Sequence, residues 1–325
     1  MRSRIIAVVL VANLSAVTAV LALDQTLPLY KSAIGISGQI KSVGSDTLNR
    51  EMELWAKAFG ERYPDVRIVV EGKGSATAPP ALLDGTSQFG PMSRLMTAVE
   101  SEAFEKKYGY KASTVAVAVD ALAIYVNKDN PIRCLTMEQV DRIFSSTRKG
   151  SGGRSIDTWG DAGLQGEWAT QPISIYGRNE ISGTHEFFRE IALYGGDYKQ
   201  EVKQQPDSED VVRNVANDKY AIGYSGIGYK TNAVRVVPLA VFSGRDCFDT
   251  SADATYSGKY PIARYLYIYF NKKPNEQLDP LRREFIQYVL SRDGQALVEK
   301  GGFYPITNEL RQNEIKRLGL STPAD

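Results

Sequence analysis

Four short segments of the chain combine glycine or proline with hydroxyl side chains and could bind an anion. They are residues 44–47 (Gly-Ser-Asp-Thr), 74–77 (Gly-Ser-Ala-Thr), 91–94 (Pro-Met-Ser-Arg) and 178–184 (Arg-Asn-Glu-Ile-Ser-Gly-Thr). Each lies between a short apolar run and a helical pattern, which predicts a strand-to-helix turn. A helix N-terminus presents free N–H groups and the positive end of the helix dipole, and Ser or Thr caps add hydroxyls. Several such turns that converge would form an anion site.

Arg178 is the candidate cation of this site. Its planar guanidinium could donate two parallel hydrogen bonds to a tetrahedral anion. Glu180, two residues later, could pair with Arg178 and fix its orientation. The structural alternatives are a surface salt bridge for Arg178, a solvated carboxylate for Glu180 and ordinary helix capping for each hydroxyl turn.

An enzyme is the first competing hypothesis. His185, the only histidine, follows Ser182, Gly183 and Thr184, so a Ser–His pair is conceivable. However, the sequence has no G-x-S-x-G elbow and no P-loop, and its carboxylates are not grouped with His or Cys at metal-ligand spacing. We therefore predict a binding protein with no catalytic residue, no metal and no cofactor.

The elements that must position these turns repeat one order: a short strand, a turn and an amphipathic helix. Leu48, Met52, Trp55 and Phe59 follow the spacing of one helix face. This alternation predicts an α/β fold with mixed, mostly parallel sheets flanked by helices.

Two long β-rich runs, 113–126 and 260–270, are candidates for connections between two lobes. They predict a discontinuous first lobe with a ligand cleft beside the second. The predicted boundaries are a first lobe of residues 39–117 plus 263–325, a second lobe of residues 118–262, and a surface extension of residues 23–38.

The N-terminus resembles a secretory signal peptide, with Arg2 and Arg4 before an apolar stretch and small residues before a cleavage site near Ala22. Cleavage would remove two of the 39 basic residues, leaving 37 against 38 acidic residues and changing the net charge from +1 to −1. This balance argues against nucleic-acid binding. A disulfide between Cys134 and Cys247 is possible in an oxidising compartment, but spacing alone does not decide it.

Residues 42–59, 72–94 and 177–188 resemble the phosphate-binding subunit of bacterial high-affinity phosphate ABC transporters. Residues 117–132, 222–230 and 260–272 extend the resemblance over nearly all of the mature chain. It implies a two-lobed periplasmic binding protein of the type II kind, which closes over inorganic phosphate and delivers it to the permease. The expected partners are phosphate and the permease subunits. We expect a monomer whose only membrane contact is through the transporter.

The resemblance also implies roles for individual residues. The implied phosphate ligands are Thr47, Leu48, Ser75, Ser93, Arg178, Ser182, Gly183 and Thr184, with Glu180 supporting Arg178. Ser45 and Arg94 are further candidates, and Arg94 could equally be a solvated charge at a helix start.

Ser93 departs from the family pattern, because well-known members carry an Asp there that accepts the proton of hydrogen phosphate. Ser93 itself, Asp46 or Asp120 are the candidate acceptors in this chain. The departure leaves a second function open, a binding protein for sulfate or molybdate. A third possibility is a surface adhesion or interaction protein, given the 18 Tyr residues and the N-terminal extension.

Overall fold

The structure, a computed structural model, describes residues 23–320, so the predicted signal peptide lies outside the described residues. The described strands are β1 Gly38–Gly44, β2 Val66–Gly72, β3 Gly90–Met92, β4 Ser113–Asn127, β5 Leu135–Thr136, β6 Ser174–Arg178, β7 Lys203–Gln205, β8 Ala221–Gly226, β9 Val234–Val236, β10 Leu239–Ala240 and β11 Ala263–Phe270. The described helices are α1 Asn49–Arg62, α2 Ala78–Leu83, α3 Ala98–Tyr108, α4 Met137–Phe144, α5 Gly183–Ala192, α6 Ser208–Asn217, α7 Ala252–Tyr256, α8 Pro280–Val289, α9 Arg292–Lys300 and α10 Asn308–Leu318. Within residues 23–320, no helix is long and apolar enough to cross a membrane.

Strand β4 joins the two halves of the molecule. A seven-stranded sheet runs in the order β3-β11-β4-β8-β6-β7, with β9 also paired to β4. β4 pairs with β11 as far as Ala121 and with β8 from Leu122 onward. From Val115 to Val126 every residue of β4 is buried, as expected for a strand with both faces covered. The exchange of partners after Ala121 marks the crossing between the lobes.

The predicted α/β fold with mixed sheets and flanking helices is confirmed. The pairs β1–β2, β6–β8, β6–β7 and β5–β10 are parallel. The antiparallel pairs all involve β4 or β11. Parallel pairs therefore do not outnumber antiparallel ones among the described strands, because the crossing strands β4 and β11 run in opposite directions.

Helix α1 buries the face that its apolar spacing predicts. Met52, Trp55 and Phe59 are fully buried, and the Trp55 indole Nε1 donates to the Gly294 carbonyl at 2.8 Å, which ties α1 to α9. The apolar pattern of residues 280–300 contains two helices, because Ser291 begins a new one. The Ser291 hydroxyl accepts the Gly294 N–H at 3.2 Å and caps α9.

The N-terminal extension is fastened to the first lobe. Leu27 is 1% exposed, and the Arg292 N–H donates to the Pro28 carbonyl at 2.8 Å. The Tyr30 hydroxyl lies 2.5 Å from the Tyr63 hydroxyl. These contacts make the extension part of the packing around α1 and α9.

The two cysteines form a disulfide. Cys134 and Cys247 are bonded, with their Cα atoms 6.1 Å apart. Cys134 directly precedes β5, and β5 pairs with β10, so the bond fastens the end of this small parallel sheet. The sequence left this pairing undecided, and the fold brings the two thiols together.

Candidate anion-binding site

The first turn places two predicted ligands at the start of α1. Thr47 and Leu48 are fully buried, and Leu48 is the N-cap residue of α1. The Thr47 hydroxyl lies 2.9 Å from the hydroxyl of Thr184, which belongs to the second lobe. The first and last hydroxyl turns therefore meet in the structure.

The second and third turns meet within the first lobe. Ser75 begins a 3₁₀ helix before α2, and its hydroxyl accepts the Ser93 N–H at 3.0 Å. The two hydroxyl oxygens are 3.1 Å apart. Ser75 and Ser93 are both completely buried, so the cleft wall here consists of hydroxyl and amide groups.

Gly183 allows α5 to approach this wall closely. A Cβ atom on Gly183 would lie 2.3 Å from the Ser75 Oγ and 2.7 Å from the Ser93 Oγ. Ser182 caps α5, since its hydroxyl accepts the Thr184 N–H at 3.1 Å. The N-terminus of α5 in the second lobe therefore points at the serine pair of the first lobe.

Arg178, the last residue of β6, lies fully buried among these turns. Its Nη1 donates to the Ser208 hydroxyl at 2.8 Å and its Nη2 to the Pro206 carbonyl at 3.0 Å. Its Nη2 also forms an ion pair with Asp46 at 2.7 Å. Arg178 is thus held by the second lobe and paired with a carboxylate of the first.

The prediction that Glu180 pairs with Arg178 is wrong. Glu180 is exposed, in the turn beyond the end of β6, whereas the Arg178 side chain is buried. Asp46 takes the role instead, and its Oδ2 accepts from the Ser208 N–H at 3.2 Å and hydroxyl at 3.0 Å. A carboxylate at the N-terminus of α6 is also favoured by the helix dipole.

A second buried arginine, Arg264 of β11, was missed by the sequence analysis. It lies opposite Asp120 in the β4–β11 register, and its Nε and Nη2 donate to Asp120 Oδ2 at 3.1 and 2.8 Å. Its Nη1 donates to the Ser93 carbonyl at 2.8 Å and its Nη2 to the Thr184 hydroxyl at 2.9 Å. Arg264 therefore links the paired strands β4 and β11 to the turns of Ser93 and Thr184, and burial lowers its pKa.

Ser45 and Arg94, the two further candidates, have different surroundings in the structure. Ser45 is completely buried beside Asp46, and its N–H donates to the Pro91 carbonyl at 2.7 Å. Arg94 instead donates two hydrogen bonds, both at 2.7 Å, to Glu100 in the first turn of α3. Arg94 therefore pairs with Glu100 at the start of α3 and not with the hydroxyl turns.

The buried charges balance within the site. Arg178 and Arg264 supply two positive charges, and Asp46 and Asp120 supply two negative ones. An anion would therefore be held by directed donors rather than by net charge.

Residues 32–293 match the profile of the PBP superfamily domain. The chain is 50% identical to the phosphate-binding protein PstS of Pseudomonas aeruginosa over 309 residues, which are 95% of this chain and 96% of that protein. The chain belongs to the PstS family of the PBP superfamily. It is also 27% identical over 268 residues to the phosphate-binding protein PstS of Staphylococcus saprophyticus, covering 81% of this chain and 79% of that one.

Solved structures share the fold of this PstS-family chain. A putative phosphate ABC transporter substrate-binding protein with bound phosphate from Clostridium perfringens aligns with a TM-score of 0.69 at 23% identity, over 83% of this chain and 100% of that one. An ABC-type phosphate transport receptor from Vibrio cholerae aligns with a TM-score of 0.63 at 23% identity, over 82% and 100% of the two chains. These matches confirm the predicted mixed α/β fold with helices flanking the sheets.

Membership of the PstS family confirms the prediction of a binding protein rather than an enzyme. The environment of His185 agrees with this conclusion. Its ring stacks on Tyr198 with centroids 4.4 Å apart, and burial lowers its pKa. The Ser182 hydroxyl is occupied in capping α5. His185 therefore packs against Tyr198 at the start of α5.

Proposed function

We propose that the protein binds inorganic phosphate in the cleft between its lobes and delivers it to the permease of an ABC transporter. The observation that carries this proposal is Arg178, a fully buried guanidinium beside facing hydroxyl turns from both lobes. Relatives of similar length bear the name phosphate-binding protein. A buried cation with surrounding hydroxyls and helix N-termini suits a tetrahedral oxyanion.

The proposed ligand-binding residues are those whose groups line the meeting point of the turns. They are Thr47, Leu48, Ser75, Ser93, Arg178, Ser182, Gly183 and Thr184. Asp46 supports Arg178 in place of Glu180, and Arg264 positions Thr184 and Ser93. Asp46 and Asp120 are the candidate acceptors for a proton of the ligand.

The proposed location is the periplasm, after removal of residues 1–22 by cleavage near Ala22. The basic and apolar pattern of these residues supports export.

We propose that the protein acts as a monomer. We also propose that residues 39–117 plus 263–325 form the first lobe and that residues 118–262 form the second. The exchange of β4 from β11 to β8 after Ala121 lies close to these boundaries.

The Arg178→Ala variant tests the proposed site. Removal of a buried, hydrogen-bonded cation should weaken phosphate binding by about 2–5 kcal/mol, as measured by isothermal titration of the purified mature protein. Arg213→Ala is the matched control, because Arg213 is exposed on α6 and pairs only with Asp210 among the described residues. A folded Arg178→Ala variant that loses less than about 0.5 kcal/mol, within the range of ordinary surface substitutions, would remove Arg178 from the site.

A further inference from the structure

Tyr229 connects the second lobe to the backbone of the first hydroxyl turn. It is the last residue of a 3₁₀ helix, Ile227–Tyr229, that follows β8. Its hydroxyl donates to the Asp46 carbonyl at 2.9 Å and to the Thr47 carbonyl at 3.1 Å. A carbonyl cannot donate, so the single hydroxyl hydrogen is shared between the two acceptors. Burial raises the pKa of Tyr229, so the hydroxyl keeps this hydrogen.

The two carbonyls belong to peptide units whose N–H groups have no partner. In a planar trans peptide, the C=O of one residue and the N–H of the next residue point in opposite directions. The Asp46 carbonyl is therefore opposed to the Thr47 N–H, and the Thr47 carbonyl to the Leu48 N–H. Within residues 23–320, neither of these N–H groups donates a hydrogen bond. The Tyr229 hydroxyl thus holds two peptide units with their free donors directed away from itself.

These two donors lie in the wall that the hydroxyl turns share. Thr47 and Leu48 are both completely buried, and the Thr47 hydroxyl lies 2.9 Å from the Thr184 hydroxyl. Buried N–H groups without a partner are rare in folded proteins and indicate a missing acceptor. An anion oxygen at the start of α1 supplies such an acceptor. The direction of these two N–H groups therefore matters for anion binding.

Tyr229 is itself held by contacts on two sides. The Ile227 N–H donates to Asp120 Oδ1 at 3.0 Å, which fastens the 3₁₀ helix to β4. The Tyr229 ring packs edge-on against Phe303, with centroids 6.4 Å apart. Gly228 allows this packing, because a Cβ atom there would lie 2.8 Å from the Phe303 ring. These contacts present the hydroxyl in a fixed position.

We propose that Tyr229 is a positioning residue for phosphate, which aims the Thr47 and Leu48 N–H groups at the anion through the carbonyls of the same peptide units. This proposal rests on the proposed phosphate-binding function. The Tyr229 hydroxyl is already engaged with the two carbonyls, so it acts through the backbone rather than on the ligand. A hydrogen bond to the carbonyl also polarises the peptide unit and strengthens its N–H as a donor. The second lobe thus completes two donors that belong to the first.

The Tyr229→Phe variant removes this hydroxyl and keeps the ring against Phe303. We expect it to bind phosphate about 3- to 10-fold more weakly in titration calorimetry, the scale of one hydrogen bond. Tyr108→Phe is the matched control, because the Tyr108 hydroxyl also donates to a backbone carbonyl, that of Leu83, at 2.8 Å. Each variant loses one such bond, so both melting temperatures should fall to a similar extent. Only Tyr229→Phe should lose affinity for phosphate.

Amide chemical shifts distinguish positioning from a general loss of stability. In ¹H–¹⁵N spectra of the wild type, phosphate should move the Thr47, Leu48 and Gly183 amide protons downfield, because hydrogen bonds to a charged acceptor are short and strong. Gly183 begins α5 and serves as the internal reference. In Tyr229→Phe saturated with phosphate, we expect smaller shifts at Thr47 and Leu48 and the wild-type shift at Gly183.

The possible outcomes separate this inference from the proposed function. A wild type that does not bind phosphate contradicts the proposed function, and this inference with it. If the wild type binds phosphate, equal affinity in Tyr229→Phe overturns only the role of Tyr229. Weaker binding with unchanged Thr47 and Leu48 shifts also overturns it, because the hydroxyl would then act by another route.

A crystal structure of the wild-type phosphate complex provides a test that needs no variant. The expected result is a phosphate oxygen about 2.7–2.9 Å from both the Thr47 and the Leu48 nitrogen, the distance of a charge-assisted hydrogen bond. The Tyr229 hydroxyl should remain bonded to the Asp46 and Thr47 carbonyls. Phosphate oxygens beyond about 3.5 Å from both nitrogens would overturn the proposal, because no hydrogen bond forms at that distance.

Discussion

At the scale of single residues, the site rests on two buried arginine–aspartate pairs with different positions. Arg178 and Asp46 come from opposite lobes and form their ion pair across the cleft. Arg264 and Asp120 lie opposite each other on the crossing strands β11 and β4. Breaking such a buried pair leaves one charge uncompensated, so each partner constrains the other. The first pair joins β6 to the turn before α1, while the second joins two directly paired strands.

The Arg264→Lys variant should weaken phosphate binding and lower the melting temperature. Lysine keeps the charge but cannot reproduce the contacts to Asp120, the Ser93 carbonyl and the Thr184 hydroxyl together. We expect a loss of about 1–3 kcal/mol in phosphate binding, the scale of charge-assisted hydrogen bonds, by titration calorimetry.

Arg235→Lys is the control for this substitution. Arg235 is a partly buried arginine that donates to the Asn130 carbonyl within the second lobe. The Arg235→Lys variant should lower the melting temperature without changing the affinity for phosphate. Equal phosphate affinity in the wild type and the Arg264→Lys variant would remove Arg264 from the positioning of the site.

Residue types and order predicted the hydroxyl turns but not the partners of Arg178 and Thr184. The residues of a turn are neighbours in the sequence, so Thr47, Ser75 and Ser182 could be assigned to strand-to-helix turns from the residues beside them. The pairing of Arg178 with Asp46 depends on how the lobes meet, which spacing does not encode. Arg264 and Asp120 had a usable signal, since each is the single charged residue of its long β-rich strand. A charge isolated in a buried strand requires a buried partner.

At the scale of elements, α1 joins the site to the packing of the first lobe and contains an unusual buried acid. Glu51, in its first turn, is fully buried, and neither of its carboxylate oxygens has a hydrogen-bond partner among the described residues. Burial raises the pKa of Glu51 to about 8 from its ordinary value of 4.5. Between these two pH values the folded protein holds a proton that the unfolded chain has released.

The Glu51→Gln variant should therefore change the pH dependence of stability. The folded state binds more protons in this window, so wild-type stability falls as pH rises from about 4.5 to 8, by up to about 1.4 kcal/mol per unit. The variant, which cannot ionise there, should lack this slope. Urea unfolding at pH 5 and pH 8.5 measures this difference in the free energy of unfolding. Glu53→Gln is the control, because Glu53 is exposed on the same helix. Parallel stability curves for the wild type and Glu51→Gln would contradict the buried, neutral assignment.

Elements with strong apolar periodicity were predictable, and α6 shows why others were not. α6 is rich in β-branched valine, with Val211, Val212 and Val215 buried, and valine has a low helix propensity. Its start had a signal, because Asp207 caps the helix by accepting the Asp210 N–H at 2.7 Å. The sequence analysis did not predict α6. Its first residue, Ser208, forms hydrogen bonds with both Asp46 and Arg178, so an essential part of the site was not predicted either.

At the scale of the whole molecule, contacts across the cleft connect the two lobes near the proposed site. The Ala76 N–H donates to the Ile181 carbonyl at 3.1 Å, and the Tyr229 hydroxyl donates to the Asp46 carbonyl at 2.9 Å. The strands β4 and β11 pair with each other in antiparallel orientation. Two long β-rich runs predicted a crossing, but the point at which β4 exchanges partners depends on tertiary pairing. The facing turns are therefore in contact in this structure.

The most direct test of the account is small-angle X-ray scattering of the mature protein titrated with phosphate. We predict that the radius of gyration falls as phosphate saturates the protein, because the donor turns are divided between the lobes and must close on one anion. The saturated profile should match the arrangement in which Ala76 contacts Ile181. Identical profiles with and without saturating phosphate would contradict capture by lobe closure.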